Sequence, residues 1–126
     1  MSTTDVVLDL VRETLGKPAS EVVSPSQLLF YDLGFTSMDM LDFLFRIEEQ
    51  FGIQVPEGTI LGLARGDLPE AEIVEQGHLT ARGRERLMAL LHDSPPAIFP
   101  ERIHVQTLPR YCTIASIVRL VESKLT

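Results

Sequence analysis

Asp32-Leu33-Gly34-Phe35-Thr36-Ser37-Met38-Asp39-Met40-Leu41-Asp42 lies where a long connection gives way to a helix. Thr36 is a competent N-cap, whose hydroxyl can accept a hydrogen bond from a backbone N–H of the first turn. Asp39, three residues on, completes a variant of the capping box. Ser37 is thereby left in the first turn, exposed, beside unpaired backbone N–H groups and the positive end of the helix dipole. Those surroundings suit a phosphodiester on the Ser37 oxygen. Small polar residues are also abundant at helix starts for capping alone, so the serine acquires meaning only from its neighbours.

The helix that follows is predicted over Ser37 to Phe51, ended by Gly52, with Pro56 a few residues beyond. Projected at about 100° per residue, Met40, Phe43, Leu44, Ile47 and Phe51 fall on one arc, the core face. A second apolar stripe is left over. Met38, Leu41 and Phe45 lie together, flanked by Asp42, Glu48 and Glu49, with Asp39 and Arg46 further round. Apolar residues among carboxylates suit a docking surface for basic partners, because charge steers the encounter and buried apolar contact holds it. The competing expectation is that this stripe packs under another part of the chain, residues 58–104.

Upstream, an amphipathic stretch from about Thr4 to Gly16 carries Val7, Leu8, Val11 and Leu15 at helical spacing, with Asp5 in its first turn. The connection from Lys17 to Gly34 contains Val22, Val23, Leu28, Leu29, Phe30 and Leu33, which implies packing under or between helices. Downstream, residues 58–104 are punctuated by glycine and proline around one clear helical run, capped by Thr80 and continuing to His92. A short helix is expected over Pro69 to Gln76. The last helix begins at Thr113 and carries Ile114, Ile117, Val118, Val121 and Leu125 on one stripe. No period-2 strand of useful length and no internal repeat is visible. The expectation is an all-α fold: residues 1–126 as one domain, a small helical bundle with a helical insertion at about 58–104.

Composition narrows the function. The chain has 126 residues and a net charge of −7, which disfavours nucleic acid and anionic membrane as partners. Residues 1–57 hold ten acidic side chains against three basic ones, whereas 58–126 hold eight of each, so the two parts are chemically different. No apolar run approaches the length of a membrane span and the polar start lacks a signal-peptide flank, so no membrane insertion and a cytoplasmic location are expected. One cysteine and three scattered histidines give too few ligands for a zinc cage. There is no Walker or dinucleotide loop, no HExxH and no GxSxG elbow, so the chain is not expected to be an enzyme. Cys112, beside the Thr113 cap where a lowered thiol pKa is conceivable, is the best candidate nucleophile, weighed against simple packing on the last helix.

Taken together, the motif around Ser37 and the exit Ile47-Glu48-Glu49-Gln50-Phe51-Gly52-Ile53-Gln54-Val55-Pro56 resemble the acyl carrier protein family. The first helix and residues 113–125 look similar to that family's first and last helices. The resemblance implies that Ser37 is the attachment point of a covalent 4′-phosphopantetheine arm, made from coenzyme A, whose thiol carries an acyl group as a thioester. It further implies that Met38, Asp39, Leu41, Asp42, Phe45 and Glu48 form the surface read by partners. These would be a phosphopantetheinyl transferase, an acyl-ACP synthetase or ketosynthase, and an acyltransferase, acting on a monomer in fatty acid or specialised lipid biosynthesis. Two alternatives share the frame: a thiolation carrier for aminoacyl or peptidyl groups, and an interaction module that is never modified. The family usually has Asp before the modified serine and Leu after it, where Thr36 and Met38 stand here. The insertion stands where the family has a short loop and third helix, a remnant of which is expected near Thr107 to Tyr111. Its apolar residues, among them Ile60, Leu61, Leu63, Leu79, Leu87, Leu90 and Leu91, would widen a chain-holding interior or make a second docking surface. Arg82, Arg84 and Arg86 would offer contacts to an acidic partner or to the acidic helix.

Overall fold

The computed structural model describes residues 1–125; Thr126 lies outside them. Helix α1 spans Thr3–Leu15, begun by the Ser2 hydroxyl accepting from the Asp5 N–H and ended by Gly16 at φ 68°. Helix α2 spans Ser37–Phe51 and ends at Gly52, φ 66°. The last helix, α6, spans Ile114–Leu125. Its first turn is held by the Thr113 hydroxyl, which accepts from the Ser116 N–H at 3.1 Å. These three helices pack against one another, joining Val7 and Val11 of α1, Phe43 and Ile47 of α2, and Ile117 and Val121 of α6 in a common core. Burial of these side chains is the main stabilising term, each contributing roughly 1.5–3 kcal/mol before entropy is counted.

Between α2 and α6 lie α3 (Thr59–Arg65), α4 (Glu70–Ile73), β1 (Val74–Glu75), β2 (His78–Leu79) and α5 (Ala81–Leu90), then 3₁₀ turns at Pro96–Ile98 and Val105–Tyr111. Both α3 and α4 rest on α5. The Thr80 cap holds, with its hydroxyl accepting from the Gly83 N–H at 3.0 Å. Two expectations for this segment are corrected. The helix expected over Pro69 to Gln76 stops at Ile73, because Gln76 and Gly77 both take positive φ, 51° and 79°, and turn the chain into a two-residue hairpin. Positive φ at both central residues is what a type I′ turn requires. Nor are two of the three arginines free. Arg84 donates to the Pro100 and Phe99 carbonyls and Arg86 to that of Ala64, so both tie the segment together, while Arg82 is exposed. The fold is otherwise all-α, as expected, and the third-helix remnant is the 3₁₀ turn over Val105–Tyr111.

Helix α6 is buried on two sides. Ile114, Ile117, Val118 and Val121 face one way, while Ser116 and Leu120, also buried, lie on the opposite arc when the helix is projected. The first arc covers α1 and α2, and the second meets the segment 58–104. A groove of about 260 Å³ remains there, lined by Ile60 and Leu63 of α3, Leu90 and Leu91, and Cys112 and Leu120 among others.

Candidate functional site

Residues 28–36 are knotted into a tight unit. The Asp32 carboxylate accepts from the Leu28 N–H at 2.7 Å, and the N–H groups of Asp32 and Leu33 return to the Leu28 carbonyl. Gly34, at φ 72°, reverses the chain at modest cost where an L side chain would be strained. Phe35 donates its N–H to the Leu29 carbonyl at 3.0 Å and buries its ring against Phe43, edge to face with centroids 5.6 Å apart. The knot is fastened to the bundle, because Leu29 donates to the Cys112 carbonyl and Ile114 to that of Gln27. The start of α2 and the start of α6 therefore share one end of the molecule.

From that knot Thr36 enters α2. Its hydroxyl accepts from the Asp39 N–H at 3.1 Å, and the Asp39 carboxylate accepts from the Thr36 N–H at 2.9 Å, a reciprocal capping box worth about 1 kcal/mol or more. Ser37 is the first helical residue and is exposed. Since Thr36 and Asp39 do the capping, the Ser37 hydroxyl is outside the cap and open to solvent.

Along α2, Met38, Leu41 and Phe45 are 73%, 49% and 57% exposed. The stripe thus does not pack under residues 58–104. The acidic neighbours are differently engaged. Asp39 is half-buried in the capping box, and Asp42 pairs with Arg46 at 3.2 Å on the surface. Glu48 accepts from the Val55 N–H at 2.7 Å, pinning the strand-like exit after Gly52. Asp32 escaped the sequence reading as a functional residue; its position four residues after Leu28, facing a glycine turn, was the available signal.

Cys112 sits at the opposite extreme from a reactive thiol. It is fully buried, and burial pushes its pKa up to about 12, so the Thr113 cap does not activate it. Among the described residues no group of three or more His, Cys, Asp or Glu could hold a metal, and no helix is long and apolar enough to cross a membrane.

The family model for the phosphopantetheine attachment site matches residues 5–65, which take in α1 from Asp5 onward, the knot, α2 and α3. Acyl carrier protein AcpXL of Brucella melitensis is 33% identical over 89 residues, covering 70% of this chain and 95% of the relative, and AcpXL of Brucella suis gives the same figures. AcpXL of Rhizobium meliloti is 38% identical over 55 residues, covering 44% of this chain and 57% of the relative. No solved structure matches significantly. The group these matches imply is covalently attached 4′-phosphopantetheine, and the residues present fit it: an exposed hydroxyl lies outside the cap, in a helix first turn whose dipole favours an anion. With most of a relative's length aligned and the attachment model lying across α1 and α2, this chain belongs to the acyl carrier protein family.

Proposed function

We propose that Ser37 is the attachment residue and that the chain carries an acyl group to partner enzymes of fatty acid or specialised lipid biosynthesis. The observation that carries this reading is the open Ser37 hydroxyl at the first position of α2, displayed by a capping box that does not use it. When bound, the arm supplies a terminal thiol that holds the acyl group as a thioester. The chain's own residues do the rest. The knot at 28–36 fixes where α2 begins, and the first-turn N–H groups with the helix dipole would stabilise the negative charge of a phosphodiester esterified to the Ser37 oxygen. Met38, Leu41 and Phe45 offer apolar contact area, with Asp39, Asp42 and Glu48 around them to attract basic partners. The partners that fit are a phosphopantetheinyl transferase, an acyl-ACP synthetase or ketosynthase, and an acyltransferase. Bond making at the thioester is left to them, and the chain acts as a non-enzymatic, cytoplasmic, monomeric carrier. Residues 1–126 form one unit in this reading, supported by an apolar core that runs from α1 into α5.

Incubation with coenzyme A and a phosphopantetheinyl transferase tests it. Wild-type protein gains the mass of one arm and Ser37→Ala gains none. A wild type that stays unmodified, or an S37A variant that is modified, overturns the assignment.

A further inference from the structure

The groove between α3, the end of α5 and the far arc of α6 has a lining that is mainly apolar: Ile60, Leu63, Leu90, Leu91, Ile117 and Leu120. Its polar members are engaged within the protein. Ser116 donates to the Thr113 carbonyl at 2.8 Å and Ser123 to that of Leu120 at 2.7 Å. Arg119 donates to Asp93 at 2.7 Å and to the Leu90 carbonyl at 3.2 Å, bridging α6 to the end of α5. The Cys112 thiol stays protonated and hence a poor nucleophile. A polar ligand would find little to bond with here, whereas a hydrocarbon would lose nothing by entering.

Reach selects the hydrocarbon. Cys112, which lines the groove, is bonded through its carbonyl to Leu29, and Leu29 through its carbonyl to Phe35, two residues before Ser37. With paired residues about 5.5 Å apart and two residues of chain spanning at most about 7 Å, Ser37 lies within about 18 Å of Cys112. A phosphopantetheine arm has a backbone of some fourteen bonds, equivalent to between four and five extended residues, or roughly 16 Å. The arm therefore brings its thiol to the neighbourhood of the groove, and what lies beyond the thiol is the acyl chain. Tethering keeps that chain at high effective concentration, so even a shallow apolar site is filled.

We propose that this groove, built by the insertion against α6, lodges the acyl chain carried on Ser37. The assignment rests on the carrier reading above and adds a chain-length preference to it. A cavity of 150 Å³ holds the six carbons of benzene, so about 260 Å³ has room for about ten carbons. Each methylene entering multiplies the lodged-to-free ratio roughly fourfold, up to that length.

The test installs acyl arms from acetyl to tetradecanoyl with a phosphopantetheinyl transferase and the matching acyl-coenzyme A, in methyl-labelled protein. The expected result is nuclear Overhauser contacts between the acyl chain and the methyls of Ile117, Leu120 and Leu63. Resistance of the thioester to hydroxylamine should rise with chain length and level off near decanoyl. In Leu63→Asp, a substitution at a position already 41% exposed, the contacts and the protection fall together. If the arm is attached but the contacts appear instead between α1 and α2, or protection does not depend on chain length, the groove assignment is overturned and the carrier reading stands. If no arm is attached to Ser37, both fall.

Discussion

Two helical glycines in the insertion are expected to answer the same substitution with opposite signs. Gly83, in the first turn of α5, faces the Ile73 carbonyl so closely that an added Cβ would overlap that oxygen and press on Ile73 Cγ2 at 3.1 Å. The carbonyl cannot retreat, because it accepts from the Thr80 N–H at 2.8 Å and the Thr80 hydroxyl at 3.2 Å. Gly62, inside α3, would have its Cβ in open space. Replacing a helical glycine by alanine gains about 0.5–1 kcal/mol through backbone entropy and propensity. For Gly62→Ala nothing opposes that gain. For Gly83→Ala, overpacking against an immobile backbone costs typically 1–3 kcal/mol and here lies at the upper end, so the net is a loss of about 2 kcal/mol. The assay is urea unfolding followed by circular dichroism, reading the midpoint at constant slope. At this chain length the two variants should also separate by several degrees in melting temperature, on opposite sides of the wild type. A G83A variant as stable as the wild type, or a G62A variant clearly less stable, refutes the reasoning.

Two further outcomes follow from charge and burial. Asp93 is held below its ordinary pKa chiefly by its hydrogen bond to Arg119, so its contribution is present above the unfolded value of 3.8 and is lost as pH falls through the lower folded value. Asp93→Asn should therefore cost about 1 kcal/mol at neutral pH. The gap to wild type should close in acid, and a pH-independent difference in urea midpoint would contradict this. Cys112 shifts the other way: its neutral thiol is favoured by the fold below 9.0, and that contribution is lost as pH rises through about 12. Iodoacetamide at mild alkaline pH should leave the native protein unlabelled and label it fully in urea; prompt native labelling would contradict the burial.

The parts legible in the sequence are those decided locally. Ser2 was not singled out, yet the bounds of α1, α2 and α6 follow from Gly16, Thr36, Gly52 and Thr113, each acting on the turn beside it. The apolar arc of α2 was readable for the same reason, being set by helical pitch. What stayed hidden depends on distant pairings. The exposure of Met38, Leu41 and Phe45 required knowing that the insertion packs on α6 and leaves α2 bare. Arg84 and Arg86 look like surface charge until the carbonyls of Phe99, Pro100 and Ala64 are brought to them. The hairpin at 74–79 is too short for an alternating pattern, and only the Gln76-Gly77 pair marks it. The cap beside Ser37 was legible because Thr36 and Asp39 are local to it, whereas the knot that fixes where α2 begins needs Cys112, far along the chain.

That fastening of residues 27–29 to residues 112–114 has a consequence for biosynthesis. Translation delivers α1 and α2 with their apolar faces bare, and the helix that covers them emerges only after 52–113 has been made. A nascent chain halted anywhere in the intervening stretch lacks the clamp that sets where α2 begins. The first turn of α2, with Ser37 at its head, thus acquires its frame only after α6 has docked.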